Sequence, residues 1–157
     1  MYPWGKGSMI TDEEITGFAS GRNVLLAEDN EINAQIARSQ LEPAGFNVVW
    51  AENGKEAYDI FIESEPHYFS AFVTDLMMPV MDGNEAAKKV RESSRDDSGL
   101  PILGITANTF YEDMATSANT GINEVIVKPY KKRDILEWLY KSVMKYEGTD
   151  VSDDRSR

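Results

Sequence analysis

Residues 71–90 read AFVTDLMMPVMDGNEAAKKV. A short apolar run, Ala71-Phe72-Val73-Thr74, ends on an acid, Asp75. Met78-Pro79 then breaks the chain, Asp82 offers a helix cap, and Ala86, Ala87 and Val90 recur at helical spacing. The stretch predicts one strand, one loop and one helix, with a carboxylate at the carboxyl end of the strand.

Outward from this unit the pattern repeats. Short apolar runs at 24–27, 48–51, 102–105 and 125–127 are often β-branched and read as further strands, mostly buried on both faces. Between them, Ile32, Ile36 and Leu41 mark a first helix, and Ala57, Ile60 and Phe61 a second. Ala86, Ala87 and Val90 mark the third, Met114 and Ala118 a short fourth, and Ile135, Leu139 and Val143 a fifth. Asn30 and Asp82 can cap the first and third helices, Asn53-Gly54 opens the second, and Gly45 and Gly121 follow the first and fourth. Five βα units in succession predict a single α/β domain: a parallel sheet with helices on both faces, because each crossover is right-handed.

The polar residues at the strand ends carry the chemistry. Glu28 and Asp29 close the first strand, Asp75 the third, Thr106 the fourth and Lys128 the fifth. In an open α/β sheet, ligands bind outside the carboxyl ends of the strands, so these groups are delivered to one edge. Crowded carboxylates repel one another, which raises the cost of ionising them all. Lys128 alone cannot neutralise three of them. A hard divalent cation can, and Mg2+ (or Mn2+) suits carboxylates, a carbonyl and water. Phosphoryl transfer asks for this set: a nucleophile, positive charge and a neutral donor such as Thr106. Asp75, on the strand expected to be central, is the best nucleophile. Glu28 and Asp29 are placed as direct or water-mediated metal ligands, and the backbone carbonyl of Met77 can complete the coordination.

The bulk properties exclude several other classes. The chain has 157 residues, enough for one domain and too few for two full ones, with 41% hydrophobic and 27% charged residues. Its formal charge of -11 repels phosphate backbones, and Lys131-Lys132-Arg133 is too short a basic run to offset it, so nucleic acid is not an expected partner. No apolar run approaches the roughly 20 residues of a membrane span, so no membrane contact is expected of this domain. The absence of cysteine excludes disulfides and thiolate chemistry and is compatible with a cytoplasmic location. The one histidine, His67, reads as a surface loop residue. At the ends, Gly7-Ser8 ahead of a second methionine marks residues 1–9 as a leader foreign to the fold. Residues 10–22 read as a linker with one short helix, 23–147 as the domain, and 148–157 as a disordered tail.

With these residues in place, the chain from Asn23 to Tyr146 resembles the receiver domain of two-component response regulators. The matching pieces are LLAEDN (25–30), TDLMMPVMDG (74–83), ITAN (105–108) and VKPY (127–130). Any one is weak, since acidic pairs and Lys-Pro are common. All four, in order and each at a strand end, are specific. The resemblance implies a flavodoxin-like (βα)5 fold, doubly wound, with strand order 2-1-3-4-5. It implies that Asp75 accepts a phosphoryl group from phosphohistidine, with Glu28, Asp29, Asp75 and the Met77 carbonyl around Mg2+. Thr106 and Lys128 would grip the phosphoryl group, and the Lys128-Pro129 bond would be cis. The partners it implies are a histidine-kinase dimerisation domain or a histidine phosphotransfer domain, docking near the first helix. FASGRNVLLAEDNEIN and GITANTF are most similar to receivers at the C-terminal end of hybrid sensor histidine kinases. The expectation is therefore a domain of such a kinase, with a free-standing single-domain regulator as the alternative, of bacterial source, whose own catalysis is limited to its phosphorylation and dephosphorylation.

The sequence departs from the family at Val125, where many members carry a rotating Tyr or Phe switch. Met77 and Asn108 should border the phosphoryl group, and Met77 is a poor partner for an attacking water. Taken singly, each site residue has a bland reading: a helix N-terminal charge for Glu28 or Asp29, a turn residue for Asp75, a satisfied strand-end hydroxyl for Thr106, a solvated side chain for Lys128. Trp50, Trp138, Tyr58 and Phe61 read as packing residues, and Met77, Met78, Val80 and Met81 as packing for the loop after the third strand. Two other functions compete. An Mg-dependent aspartyl-phosphate phosphatase would need a DxDx[TV] arrangement, which Leu76 and Met77 interrupt. A non-phosphorylated pseudo-receiver would not need the intact set of Asp75, Thr106, Lys128 and the acidic pair.

Overall fold

The computed structural model describes residues 10–107 and 120–148. Five strands, β1 (Asn23–Ala27), β2 (Asn47–Ala51), β3 (Phe69–Asp75), β4 (Ile102–Thr106) and β5 (Glu124–Val127), form one sheet in the order β2-β1-β3-β4-β5, with every neighbouring pair parallel. The described helices are α1 (Asp12–Ala19), α2 (Glu31–Leu41), α3 (Gly54–Glu63), α4 (Gly83–Glu92) and α5 (Lys132–Tyr146), and a 3-10 turn at Glu42–Ala44 follows α2. This is the doubly wound, flavodoxin-like arrangement expected. The helix expected around Met114 and Ala118, the leader 1–9 and the tail beyond Gly148 lie outside the described residues.

Alternation along the strands divides the core into two layers. Val24, Leu26, Val73, Leu103 and Ile105 pack with Ala34, Ala37 and Leu41 of α2 and Ile135, Leu139 and Val143 of α5. Leu25, Ala27, Phe72 and Ile102 face the other way, against Ala57 and Phe61 of α3 and Ala86, Ala87 and Val90 of α4. Period two in the strands and a stripe of small residues in the helices let backbones approach closely on both sides of the sheet. The outer strands depart from the expected double burial. Val48, Val49 and Trp50 of β2 are half-buried, as are Ile126 and Val127 of β5, because an edge strand lacks a neighbour on one side.

The helix starts follow the predicted capping. The side chains of Asn30, Asn53 and Asp82 accept from the backbone N–H of Asn33, Glu56 and Glu85 at 2.9, 2.8 and 2.9 Å. Asp82 and Glu85 close a full capping box. Gly45, at φ 123°, ends the turn after α2 in a conformation that disfavours a side chain.

Two expectations need correction. Val80 does not pack the loop after β3: it is 76% exposed, and Met77 is 51% exposed. Val80, at φ 68°, is the tip of a three-residue turn closed by Met81 N–H donating to the Pro79 carbonyl at 2.7 Å, so its side chain projects outward. Met78 and Met81 do pack, against the α3–α4 layer. Residues 10–22, expected to be a linker with one short helix, carry that helix and fold onto the domain. Ile10, Ile15, Phe18 and Ala19 are buried. The Phe18 ring meets Phe46 and Tyr140 edge-on, and the Arg22 guanidinium lies 4.5 Å over it while pairing with Glu147. At the other end of α1, Arg133 of α5 bonds Asp12 and the Ile10 carbonyl. The acidic surface of α1 conceals its apolar face: Asp12, Glu13 and Glu14 favour the positive end of the helix dipole and leave Ile15 and Phe18 to pack.

Candidate functional site

Strand register assembles the site. Ala27 pairs with Thr74, so Glu28 lies level with Asp75. Asp75 pairs with Ile105, and Thr106 with Val127, so Thr106 and then Lys128 step outward from the Asp75 level. The residues expected from the sequence at four strand ends therefore share one rim.

Three carboxylates meet there. Glu28, Asp29 and Asp75 each offer an oxygen within 4.8 Å of the other two. Glu28 is buried, Asp75 half-buried and Asp29 exposed. Burial, and secondarily the nearby negative charge of Asp75, push the Glu28 carboxyl up to about 7. The Asn30 N–H, donating to Glu28 Oε2 at 3.1 Å, and the charge of Lys128 offset part of that rise. Three carboxylate oxygens that repel one another at this range form a donor set a small hard cation fits, since its charge offsets the burial and the repulsion that raise the Glu28 carboxyl.

The backbone around Asp75 is closely braced. Met77 N–H donates to Asp75 Oδ1 at 3.1 Å, and the Thr74 hydroxyl donates to the Asp75 carbonyl at 2.8 Å. Gly83, the first residue of α4, passes so near that an added Cβ would overlap the Asp75 carbonyl oxygen. This close approach explains glycine after Asp82. Thr106 is buried, and its carbonyl accepts the Lys128 N–H at 2.7 Å. The Lys128-Pro129 bond is cis, as the resemblance implies. Lys128 shares with Glu28 and Asp75 an open cleft of roughly 270 Å³, whose wall includes Asn33, Ile36, Gln40 and Tyr130. Val125, buried, packs with Leu76 and Ile122 beneath the rim. Asn108 lies outside the described residues.

Two site features escaped sequence reasoning. The Trp50 indole N–H donates to the Glu28 carbonyl at 2.7 Å, a contact that depends on the register of β2. Tyr130 was visible only as part of the VKPY motif. Its hydroxyl group is raised above the ordinary range by burial and by the charge of Glu28.

The sequence profile described as "Response regulator receiver domain" matches residues 24–140, about three-quarters of the chain. The chain belongs to this family. As a receiver domain of two-component signalling, it is 29% identical over 128 residues to hybrid signal transduction histidine kinase I of Dictyostelium discoideum, covering 80% of this chain and 7% of that protein. It is 33% identical over 132 residues to the peroxide stress-activated histidine kinase mak3 of Schizosaccharomyces pombe, covering 83% and 6%. The chain thus spans a small fraction of the curated relatives it matches. Relatives of this kind include eukaryotic proteins, so the expected bacterial source is not supported. Among solved structures, the receiver domain of sensor histidine kinase PA1611 from Pseudomonas aeruginosa superposes with a TM-score of 0.69 at 26% identity, over 79% of this chain and 98% of that one. That structure holds a magnesium ion in its active-site cleft. Among the described residues of the receiver, no helix is long and apolar enough to cross a membrane.

Proposed function

We propose that the receiver accepts a phosphoryl group on Asp75 from a phosphohistidine, in an Mg2+-dependent reaction, and passes the signal on through its surface. The observation that carries this reading is the convergence of the Glu28, Asp29 and Asp75 oxygens within 4.8 Å, in a cleft that Lys128 also lines. Asp29, Asp75 and the Met77 carbonyl, with Glu28 assisting, would hold Mg2+ (or Mn2+), which when bound supplies the positive charge that lets the carboxylates ionise together and neutralises phosphoryl oxygens.

The chain's own residues do the rest. With Oδ1 engaged by the Met77 N–H, Asp75 attacks phosphorus through Oδ2. The new O–P bond forms as the N–P bond breaks, the bonding pair returns to that imidazole nitrogen, and the ring, already protonated at its other nitrogen, leaves as neutral imidazole. Lys128 pairs with a phosphoryl oxygen and Thr106 donates a hydrogen bond to another, without adding charge. The Met77 side chain borders the group. The Met77 thioether offers an incoming water no strong hydrogen bond, so hydrolysis is slow.

The donor is a histidine-kinase dimerisation domain or a histidine phosphotransfer domain. Ile32 and Ile36, 69% and 49% exposed on α2 beside the cleft, give it an apolar landing surface. We place the domain in the cytoplasm as part of a hybrid kinase. Val125 carries no ring to rotate, so signalling proceeds through Thr106 and the elements that follow it. The pseudo-receiver and phosphatase readings draw no support from this site: the first does not need its carboxylates gathered, and the second needs a different motif.

Incubation with Mg2+ and phosphoramidate tests the assignment. One acid-stable, base-labile phosphoryl group is expected, lost in Asp75→Ala and absent when EDTA is present. Repeated turnover on an external phosphate ester, or labelling that survives Asp75→Ala, would overturn it.

A further inference from the structure

The backbone that presents the acidic pair is held by a side chain from another strand. β1 and β2 are paired up to Ala27 and Ala51. The Glu28 N–H takes the next rung, donating to the Ala51 carbonyl at 3.0 Å. The Glu28 carbonyl instead accepts the indole N–H of Trp50 at 2.7 Å. Trp50 pairs with Leu26 in the ladder, two residues before Glu28, and its half-buried ring packs against the layer of α2 and α5.

That carbonyl belongs to the rigid peptide plane joining Glu28 to Asp29. Holding its oxygen fixes ψ of Glu28 and φ of Asp29, and so the direction in which the exposed Asp29 side chain leaves the chain. The Asn30 N–H, at 3.1 Å from Glu28 Oε2, holds the carboxylate of the same residue. Glu28 is thus restrained at its N–H, its carbonyl and its carboxylate, and the carbonyl restraint comes from the Trp50 side chain. We infer that Trp50 is a positioning residue for the metal-binding pair, acting through its indole N–H. The inference rests on the metal-site reading above. Ring packing alone would be met by any aromatic of similar bulk; the hydrogen bond is not.

Trp50→Phe keeps an aromatic body and removes the donor. In the full chain, calorimetric titration with Mg2+ is expected to show binding weakened by about three- to tenfold, in line with the loss of a partner outside the ligand shell. Labelling by phosphoramidate should return to the wild-type rate at saturating Mg2+, which separates positioning from chemistry. Trp138→Phe, on α5, should leave Mg2+ affinity unchanged. A folded Trp50→Phe protein that binds Mg2+ within twofold of wild type overturns the inference. If Trp50→Phe does not fold, a chain carrying Trp4→Phe and Trp138→Phe keeps Trp50 as the sole tryptophan. Its emission should change along the Mg2+ titration, and a flat response overturns the inference. A wild-type chain that binds no Mg2+ overturns the function proposed above instead.

Discussion

At the scale of single residues, Glu28 is where the physics of the site is most exposed to measurement. Its carboxyl, lifted to about 7 by burial and by Asp75, is half protonated near neutrality. The folded chain binds that proton more tightly than the unfolded chain. Without metal, the stabilising effect is therefore complete below about pH 4.5 and is lost as pH rises through 7, on the order of 3 kcal/mol in all. Denaturant unfolding in EDTA should show this decline, and Glu28→Gln should flatten it. Metal binding has the opposite slope, because the proton competes with the cation. Mg2+ affinity should fall by up to about tenfold per unit as pH drops below 7, which calorimetry at several pH values would reveal. Met77 makes a second residue-scale test. An amide at this exposed position can orient water, so Met77→Asn should lose its phosphoryl group several-fold faster than wild type. Slower loss in the mutant would contradict the role given to the thioether.

At the scale of elements, the site depends on how closely α4 approaches the end of β3. Gly83 allows that approach, and a methyl group there meets the Asp75 carbonyl and the Thr74 side chain. Gly83→Ala should destabilise the fold by about 1–3 kcal/mol, as overpacking of a rigid contact does, measured as a lower denaturant midpoint with unchanged slope. Phosphoryl labelling should fall with it, since the strain acts on the acceptor's own backbone. The loop between these elements also shows what sequence reasoning reaches. Asp75, Asp82 and the break at Met78-Pro79 were legible because each is a local signal. The outward projection of Val80 was not, because it follows from a tight turn whose φ sign leaves no mark in a run of apolar letters.

At the scale of the whole molecule, the alternation of apolar runs and helical stripes made the α/β class legible, and the four strand-end motifs made the site legible with it. The strand order came from the family resemblance, since periodicity alone does not order a sheet. What stayed hidden depended on distant partners. The indole of Trp50 finds Glu28 only once β2 lies beside β1, and α1 reads as acidic and polar until Phe18 meets Phe46 and Tyr140. The buried face of α1 packs into the core of the domain. Phe18→Ala should therefore cost about 3–5 kcal/mol, the range for a buried aromatic, whereas a tethered linker would show almost none. Thermal or denaturant unfolding distinguishes the two.

The claim on which the rest depends is that the gathered acids of one rim work only around a dication. Crystals grown with Mg2+ and beryllofluoride test it most directly. One Mg2+ ion is expected on Asp29, Asp75 and the Met77 carbonyl, with beryllium bound to Asp75 and its fluorines met by Thr106 and Lys128. A rim that stays empty of both, or a fluoride adduct on another residue, would contradict it.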